Sequence, residues 1–530
     1  MKMKSCSILK KYVCQMDVVS AVVLAVVMGA CSTSPKLTPE DRAGDIEYLA
    51  QWAKDNSPFV ELNEKYKDCP SYEALLPKYV EFAKQAKSNE EFYMVASNYY
   101  NLICATGHAY LISESELKWV KTAIILGILD LDINPFQTDQ SVYWARLARD
   151  ISTRAHPPFH ILYKEDKYFT DDEWQADGVT VPRGSEILKV DGMDCSSYLD
   201  FIKENTLLRY CALPKDFVKQ YLLIIDEGPD FAGWQVVFRL PNGSIHDAFV
   251  PKIKGLPRRK TIGTEVPEES CRCIELSDDV GYIWIKGFMS GPLDYLFPSF
   301  AKKDRKKIRT FLDKSNGKYN KLIIDIRNNI GGLPQYGYDN LICPFLEKSV
   351  TYNQIAGIRR KYADSLTKSV LRTLRRKCST KKEHVVSVKE VDAPDGFDRD
   401  EWVFYQIDRR IEPRNRYNFN GSIYVLVNGG TFSAADDYAN TVKRIGFAKL
   451  VGQNTRGGCA AYIGPPILRL PQSGMIFRVE TELVINPDGS FNELFGTPPD
   501  IKLDPADLPK SISKEELLKD EWIKQVIIDD

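Results

Sequence analysis

The chain contains 530 residues with a formal net charge of −1, and 44% of its residues are hydrophobic and 27% are charged. These values are typical of a globular protein and leave room for roughly two to four domains. A net charge so close to zero argues against nucleic acid as a partner, because proteins that bind phosphate backbones carry an excess of basic residues.

Residues 1–30 are predicted to be a targeting segment. Basic residues come first, and an apolar run at 18–30 follows that is too short to span a bilayer comfortably. Small residues precede Cys31, so the segment resembles a bacterial lipoprotein signal with Cys31 as the lipidated first residue of the mature chain. An ordinary cleaved signal or a short anchor is the alternative. Residues 31–37 would form a tether, and the protein would be exported and membrane-anchored, in the periplasm or at the cell surface.

Beyond Cys31 the chain has nine cysteines, an odd number with irregular spacing. Such a pattern does not indicate a disulfide framework. The sequence also lacks the C-x-x-C and H-E-x-x-H patterns of common metal sites. No metal site is therefore predicted.

Residues 38–150 are predicted to form an N-terminal helical domain. Apolar residues recur at helical spacing over 72–83 and 119–126. A further helical pattern at 99–106 meets Gly107, a residue that favours a helix end. His108 lies directly after this predicted end.

Residues 157–265 are predicted to form a small β domain. The segment 181–192 has the pattern of a turn, a strand and a second turn, and two β-rich segments follow at 221–225 and 234–240.

Residues 266–530 are predicted to form an α/β domain. Apolar strand patterns alternate with helical patterns, which favours a parallel sheet; the strand patterns lie at 280–285, 321–326, 423–427 and 448–452. A basic segment at 359–389 is interpreted as a solvated surface insertion.

Ser433 lies at the junction between the strand predicted at 423–427 and a following helix. Unpaired N–H groups and the helix dipole make this a favourable place for a nucleophile. The alternative is a structural one, because serine is also a common helix N-cap. A nucleophilic serine needs a base and oxyanion donors, and the bases available are five histidines at 108, 156, 160, 246 and 384.

Four blocks resemble, in chain order, those of the S41 peptidases, which include the C-terminal processing proteases and the tricorn core protease; the blocks are 325–332, 431–436, 451–458 and 496–501. The resemblance implies a ClpP/crotonase-like core in which Ser433 hydrolyses peptide bonds. It also implies that no organic cofactor or metal is needed.

The family has two catalytic arrangements. The Ser-Lys form places a lysine after the third block, where this chain has Gly457-Gly458-Cys459. The tricorn-like form uses Ser, His and Glu, and the segments around His108 and Glu493 match its pattern. The resemblance thus implies Ser433 as nucleophile, His108 as general base, and Glu493 as the residue that orients the imidazole and stabilises its cation. A helix C-cap contact for His108 and a solvated hairpin position for Glu493 are the structural alternatives.

The resemblance also implies an oxyanion hole made by the N–H of Ala434 and one N–H from the glycine turn. Gly331 is the preferred second donor and Ile330 the alternate. The chain departs from the family at Ile330, which replaces a glycine, and at Gly107, where the tricorn site has a serine.

The segment 184–192 resembles the PDZ segment of this family, which would bind peptide or only position the core. The sequence therefore predicts a serine endopeptidase acting on peptide or protein substrates. A non-catalytic binding member of the same fold and a peptide-binding scaffold are the rival interpretations. The oligomeric state is not predicted.

Overall fold

The computed structural model of the chain describes residues 34–67, 71–114, 116–117, 139–152, 157–164, 167–176, 178–198, 232–252, 269–289, 299–364, 384–459, 467–504, 506 and 508–529. The predicted signal, Cys31, the helix expected at 119–126 and the β segment expected at 221–225 lie outside the described residues. Among the described residues, no helix combines the length and hydrophobicity needed to cross a membrane.

The N-terminal region is built from helices, which are α1 (Pro39–Asn56), α2 (Phe59–Lys67), α3 (Tyr72–Gln85), α4 (Asn89–Asn101) and α5 (Asp139–Ser152), with a short strand, β1 (Tyr110–Leu111), between the last two. Side-chain caps start three of them. Thr38 and Asp41 form a capping box at α1, and Ser71 and Ser88 each accept a backbone hydrogen bond at α3 and α4.

Helix α4 ends at Asn101 and does not extend to Gly107, as the sequence had suggested. The next residues instead make tight turns in which Ile103 N donates to Tyr100 O. The side chain of Asn63, on α2, donates to the carbonyl groups of Leu102 and Cys104, both at 2.9 Å. These bonds satisfy carbonyl groups that a longer helix would have paired, and the chain enters the His108 region as a loop.

The second region is all β, with strands β2 (Ile161–Lys164), β3 (Lys167–Thr170), β4 (Trp174–Ala176), β5 (Val179–Val181), β6 (Glu186–Val190), β7 (Met193–Asp194), β8 (Gly233–Arg239) and β9 (Ile245–Pro251). An antiparallel sheet has the order β2-β3-β6-β8-β9, with β7 beside β6, and β4 pairs with β5. Along β8 the side chains of Trp234, Val236 and Phe238 are buried, because alternate residues of a strand face the same side.

The third region begins with β10 (Cys271–Glu275), β11 (Val280–Ile285), α6 (Ser299–Ser315), β12 (Lys321–Asp325), α7 (Pro334–Tyr336), a π-helical turn (Gly337–Ile342), β13 (Val350–Arg359), β14 (Val385–Val391), β15 (Trp402–Ile411), β16 (Ser422–Val427), α8 (Ala434–Ile445) and β17 (Lys449–Gly452). It continues with β18 (Ile467–Arg469), β19 (Ile476–Arg478), β20 (Leu483–Ile485), α9 (Asn492–Phe495), β21 (Ile501–Lys502), α10 (Lys514–Leu517) and α11 (Glu521–Ile528).

The main sheet has the order β10-β11-β12-β16-β17-β21, and all its pairs after β10–β11 are parallel. Apolar side chains cover both of its faces. Helices α6 and α8 pack on one face, and α11 packs on the other beside Tyr282, Tyr424 and Leu426. Burial on both faces explains why these strands are continuous apolar runs in the sequence, and the predicted α/β class is confirmed.

A second, antiparallel sheet has the order β14-β15-β13-β20. Strand β13 ends where the predicted basic insertion begins, and β14 starts near its end. Most of that insertion, residues 365–383, lies outside the described part of the chain.

The hairpin of β18 and β19 belongs by sequence to the third region but packs into the first. Strand β19 pairs with both β18 and β1 in a three-stranded antiparallel sheet. Leu468, Leu470, Met475 and Phe477 are buried in one cluster with side chains of α1, α3 and α4. The helical region therefore completes its hydrophobic core with a late segment of the chain.

A buried ion-pair cluster joins the turn after β12 to the start of α11. Arg327 Nη2 lies 2.6 Å from Asp325 Oδ2, and its Nη1 lies 2.8 Å from Asp520 Oδ2. Asp520 also caps α11 by accepting hydrogen bonds from Trp522 N and Ile523 N. The three charged side chains are at most 3% exposed, so the cluster has a structural role in shaping the turn.

Replacing the cation of this cluster should destabilise the fold. Arg327→Met would leave two buried carboxylates without a counter-charge, and removing one partner of a buried pair costs about 3–5 kcal/mol. We expect urea denaturation to show a free energy of unfolding lower by that amount. Arg416→Met, which removes a solvent-exposed pair with Glu347, is the matched control and should leave the curve almost unchanged. Equal losses in both variants would contradict this account.

Candidate active site

Three turns meet at the carboxyl edge of the main sheet, because the carboxyl ends of parallel strands lie on one side. They follow β12, β16 and β17. Phe432 N donates to Asn329 O at 2.9 Å, and Ser433 N donates to Gly457 O at 3.0 Å. The turn that carries Ser433 is thus hydrogen-bonded to its neighbours on both sides.

Ser433 adopts a backbone conformation that is rare for a residue with a side chain, with φ 58° and ψ −124°. Such conformations cost about 1–3 kcal/mol and persist where the surroundings enforce them, often at functional sites. Ser433 occupies the N-cap position of α8, but its side chain makes no capping hydrogen bond. Its Oγ instead lies 2.9 Å from His108 Nε2. The structural alternative of a side-chain cap therefore does not describe this serine.

A buried carboxylate holds the loop that carries His108. Glu480 Oε2 accepts hydrogen bonds from Ala105 N and Thr106 N, at 2.9 and 3.2 Å. Its Oε1 accepts from the Thr106 hydroxyl, from Gly107 N at 3.4 Å and from His108 N at 3.1 Å. The loop thus depends on a side chain located 372 to 375 positions later in the sequence.

Aromatic and cationic groups pack around the imidazole. The ring of Phe432 lies 4.5 Å from that of His108, centroid to centroid. The guanidinium of Arg456 lies 4.9 Å from the centroid of the Phe432 ring, and its Nε donates to Thr106 O at 3.1 Å. A Cβ at Gly107, whose φ is 149°, would lie 2.5 Å from Arg456 Nη2. Arg456 therefore fills the space that a serine side chain would need, which accounts for Gly107.

Burial is the main cause that lowers the pKa of His108 below 6.5. The nearby carboxylate of Glu480 raises it in part, whereas Arg478 and Arg456 lower it further. The imidazole is therefore neutral at neutral pH and able to accept a proton.

The amides expected to be oxyanion donors differ in their hydrogen bonding. Among the described residues, the amide of Ala434, the first residue of α8, makes no hydrogen bond. Gly331 N, the preferred second donor, donates to Asn329 Oδ1 at 2.9 Å. Ile330, the alternate, is 73% exposed, and its amide makes no hydrogen bond within the described part of the chain. In this part of the structure the amides of Ala434 and Ile330 are therefore open to an acceptor, whereas that of Gly331 is engaged.

Gly331 is nevertheless essential to the shape of this pocket. Its φ is 89°, and a Cβ there would lie 2.7 Å from Ala434 N and 2.9 Å from the Cβ of Ser433. A side chain would therefore occupy the space in front of the Ala434 amide.

Glu493, on α9, is buried but not hydrogen-bonded to His108 in the described structure. Its Oε2 accepts a hydrogen bond from Val484 N at 2.7 Å, and its Oε1 is buried without a partner. Burial raises its pKa well above the ordinary value, and the nearby carboxyl groups of Asp436 and Glu480 add to this effect. Burial therefore favours the neutral form of this carboxyl group.

Gly458 and Cys459 connect the imidazole to the start of α9. A Cβ at Gly458 would lie 3.2 Å from His108 Nδ1. The next residue, Cys459, donates its N–H to Asn492 Oδ1 at 3.1 Å. The helix that carries Glu493 is thus linked through this segment to the Nδ1 edge of the ring.

One group in the described structure has the composition of a metal site, although none was predicted. Ligand atoms of Asp339, Cys343 and His384 lie within 4.8 Å of one another. However, Arg414 Nη2 lies 3.4 Å from both Asp339 Oδ1 and His384 Nε2. Burial also raises the pKa of Cys343 to about 11. A guanidinium already supplies the positive charge here, so we assign no metal to this group.

Sequence reasoning missed Glu480 and Arg456. Arg456 lies within a quoted block but has no signature of its own. Glu480 and Glu482 lie between the apolar segments of β19 and β20, and acidic residues in such a stretch are the signal that could have indicated a buried carboxylate.

Residues 279–503 match the sequence profile of peptidase family S41. No curated protein matches the chain. The chain is similar to the structure of mature CPAF complexed with lactacystin, with 15% identity and a TM-score of 0.54, over 93% of this chain and 98% of the other. A structure of mature CPAF aligns at 15% identity and a TM-score of 0.52, over 88% and 93% of the two chains.

The photosystem II D1 C-terminal processing protease aligns at 14% identity, over 92% of this chain and 98% of its own, with a TM-score of 0.38. At such low identities, the CPAF structures establish the fold alone.

The lowered pKa of His108 predicts an unusual pH profile. Activity is lost on the acid side when the imidazole becomes protonated, and burial moves this event to a pH below 6.5. We expect kcat/KM for a peptide substrate to stay constant from neutral pH to below 6.5 and to fall only in more acidic buffer. A midpoint at or above 6.5 would contradict the buried environment described here.

Proposed function

We propose that the chain is a serine endopeptidase in which Ser433 is the nucleophile and His108 the general base. The match of residues 279–503 to the peptidase family S41 profile supports this proposal. The substrates would be peptides or proteins. No metal or organic cofactor takes part in the proposed chemistry.

The observation that carries this proposal is the 2.9 Å contact between His108 Nε2 and Ser433 Oγ. The two residues are separated by 325 positions and lie in different regions of the fold. Their approach at a strained turn, beside an unpaired helix amide, is the arrangement that acyl transfer requires.

In the proposed acylation step, Ser433 Oγ attacks the peptide carbonyl carbon while its proton moves to His108 Nε2. The carbonyl oxygen becomes an oxyanion that accepts hydrogen bonds from the amides of Ala434 and Ile330. The imidazolium then gives its proton to the leaving amine as the C–N bond breaks, and an ester to Ser433 remains. Each such amide is worth about 3 kcal/mol of transition-state stabilisation.

Deacylation repeats these roles with water. His108 removes a proton from the water molecule as its oxygen attacks the ester carbonyl. The imidazolium then returns a proton to Ser433 Oγ, so the enzyme is regenerated and the new carboxylic acid leaves.

Glu493 completes the proposed site as the residue that orients the imidazole. Its unpartnered Oε1 is a buried acceptor, and α9 lies towards the Nδ1 side of the ring. In the proposed site this carboxyl group accepts the Nδ1–H through a bridging water, because it makes no direct hydrogen bond to His108 in the described structure. The cation-stabilising role first assigned to Glu493 requires an ionised carboxylate, which its raised pKa disfavours.

We also propose that the protein is a lipid-anchored bacterial lipoprotein, modified at Cys31. The support is the sequence pattern alone. Metabolic labelling with a radioactive fatty acid should label the wild type and not Cys31→Ala. Equal labelling of both would exclude lipidation at this residue without affecting the proposed chemistry.

The central experiment compares wild type with Ser433→Ala on a peptide library read by mass spectrometry. We expect cleavage by the wild type and a loss of at least about 10³-fold in the variant. A serine-directed phosphonate should label Ser433 in the wild type, weakly in His108→Ala, and normally in the control His246→Ala, whose histidine lies on β9. Absence of both cleavage and labelling in the wild type would favour the non-catalytic binding member.

Replacement of Glu493 by glutamine tests its protonation state. Because burial favours the neutral form of the carboxyl group, the amide is a close substitute in shape and charge, and it keeps an oxygen for hydrogen bonding. We expect Glu493→Gln to lower kcat/KM by less than about tenfold and Glu493→Ala to lower it further. A loss near 10⁴-fold in the glutamine variant would show that the residue acts as an anion.

A further inference from the structure

Glu480 is a buried charged group to which the proposed mechanism gives no role. We infer that Glu480 is a positioning residue for His108, which fixes the loop of the general base and supplies the negative charge that faces the imidazolium during the reaction. This inference rests on the proposed function of Ser433 and His108.

The first argument is the concentration of donors around one carboxylate. Its two oxygens accept five hydrogen bonds, all from the consecutive residues Ala105, Thr106, Gly107 and His108. A carboxylate offers about four lone-pair sites and no donor, whereas an amide would turn an N–H₂ group towards these donors. The loop conformation is therefore matched to an ionised glutamate.

The second argument is strand register. Tyr110 pairs with Arg478 and Leu111 with Phe477 in the antiparallel contact of β1 with β19. Extension of this register by two residues places Glu480 opposite His108. The same short sheet that closes the helical core thus determines where the carboxylate meets the loop.

The third argument is charge. Glu480 is fully buried, yet its pKa is lowered, because His108 and the hydrogen bonds from the loop oppose the effect of burial. The charged groups that act on the imidazole are Glu480, Arg478 from β19 and Arg456 from the turn after β17, and only Glu480 favours its protonated form. When His108 takes the proton of Ser433, this carboxylate is the negative charge that stabilises it.

A purely structural role, in which Glu480 only holds the loop in place, would also explain the first two observations. The test must therefore separate this structural role from the effect of the negative charge on His108. Asp45 provides the matched control. It is a buried carboxylate that accepts hydrogen bonds from Gln472 N and Ser473 N, both at 2.8 Å. It joins the helical region to the β18–β19 hairpin without contacting the 105–108 loop.

We expect Glu480→Gln to lower kcat by about 10²-fold, the loss typical of a displaced catalytic group, with KM changed less than threefold. The acid limb of kcat/KM should move to lower pH, because the removed anion raises the pKa of His108. Glu480→Asp, which keeps the charge, should leave the acid limb near its wild-type position. Asp45→Asn should lower the melting temperature and leave the acid limb in place.

The ionisation of His108 gives a readout that does not require turnover. In a Ser433→Ala background, an NMR titration of labelled histidine should show a lower pKa for His108 in Glu480→Gln and no shift in Asp45→Asn. If the wild type fails to cleave any peptide but this shift is seen, the proposed function fails and the pairing with Glu480 stands. If Glu480→Gln changes neither the titration nor the acid limb, the inference about Glu480 is overturned while the peptidase proposal survives.

Loss of folding in Glu480→Gln would be detected by circular dichroism. In that case Glu480→Asp and Thr106→Val are measured in its place. Thr106→Val removes one donor to Glu480 and keeps the anion, so a several-fold loss of kcat with an unmoved acid limb supports the inference. A shift of the acid limb in Thr106→Val equal to that expected for charge removal would overturn it.

Discussion

The pairing of β1 with β19 is the contact on which the candidate site depends. Two residues of each strand form it, and it aligns the loop of His108 with the main sheet that carries Ser433. Backbone pairing between such short strands is weak by itself. The contact persists because Phe477, Leu468 and their neighbours are buried among the helices. Hydrophobic burial is the largest favourable contribution to folding, and here it stabilises the position of the two strands. The hydrogen bonds between them then set the exact register.

Ser433, the proposed nucleophile, is held in place by the main parallel sheet and not by the hairpin. Parallel strands bring the turns after β12, β16 and β17 to one edge of the sheet, where backbone hydrogen bonds from Phe432 and Ser433 tie them together. Below this edge, the cluster around Arg327 connects the first turn to the last helix. The strained conformation of Ser433 is therefore supported by contacts from three separate segments, and the site is rigid where the reacting hydroxyl sits.

Much of this arrangement could be predicted from the sequence. The apolar runs of β11, β12 and β16 indicate buried strands. Ser433 was named from a family block and His108 from the tricorn-like pattern, and the two side chains meet in the structure. Periodicity identifies helices and strands but not which hydrophobic core they join, so the packing of the β18–β19 hairpin against the helical region was not predicted. Glu480 was missed for the same reason, because its partners are close only once that hairpin packs there.

The finer features of the site depend on contacts that no local pattern encodes. The space taken by Arg456 beside Gly107 and the raised pKa of Glu493 both arise from packing between distant segments. The hydrogen bond from Gly331 N to Asn329 depends on the conformation of the turn. The role of Glu493 therefore stays a prediction.

The late position of the β18–β19 hairpin has a consequence for biosynthesis. A ribosome makes the His108 loop long before it makes the segment that anchors it, and Ser433 also precedes that segment. Nascent chains that end before residue 480 thus carry His108 and Ser433 without the carboxylate of Glu480. The contact proposed to be catalytic therefore depends on a segment that is made late in translation.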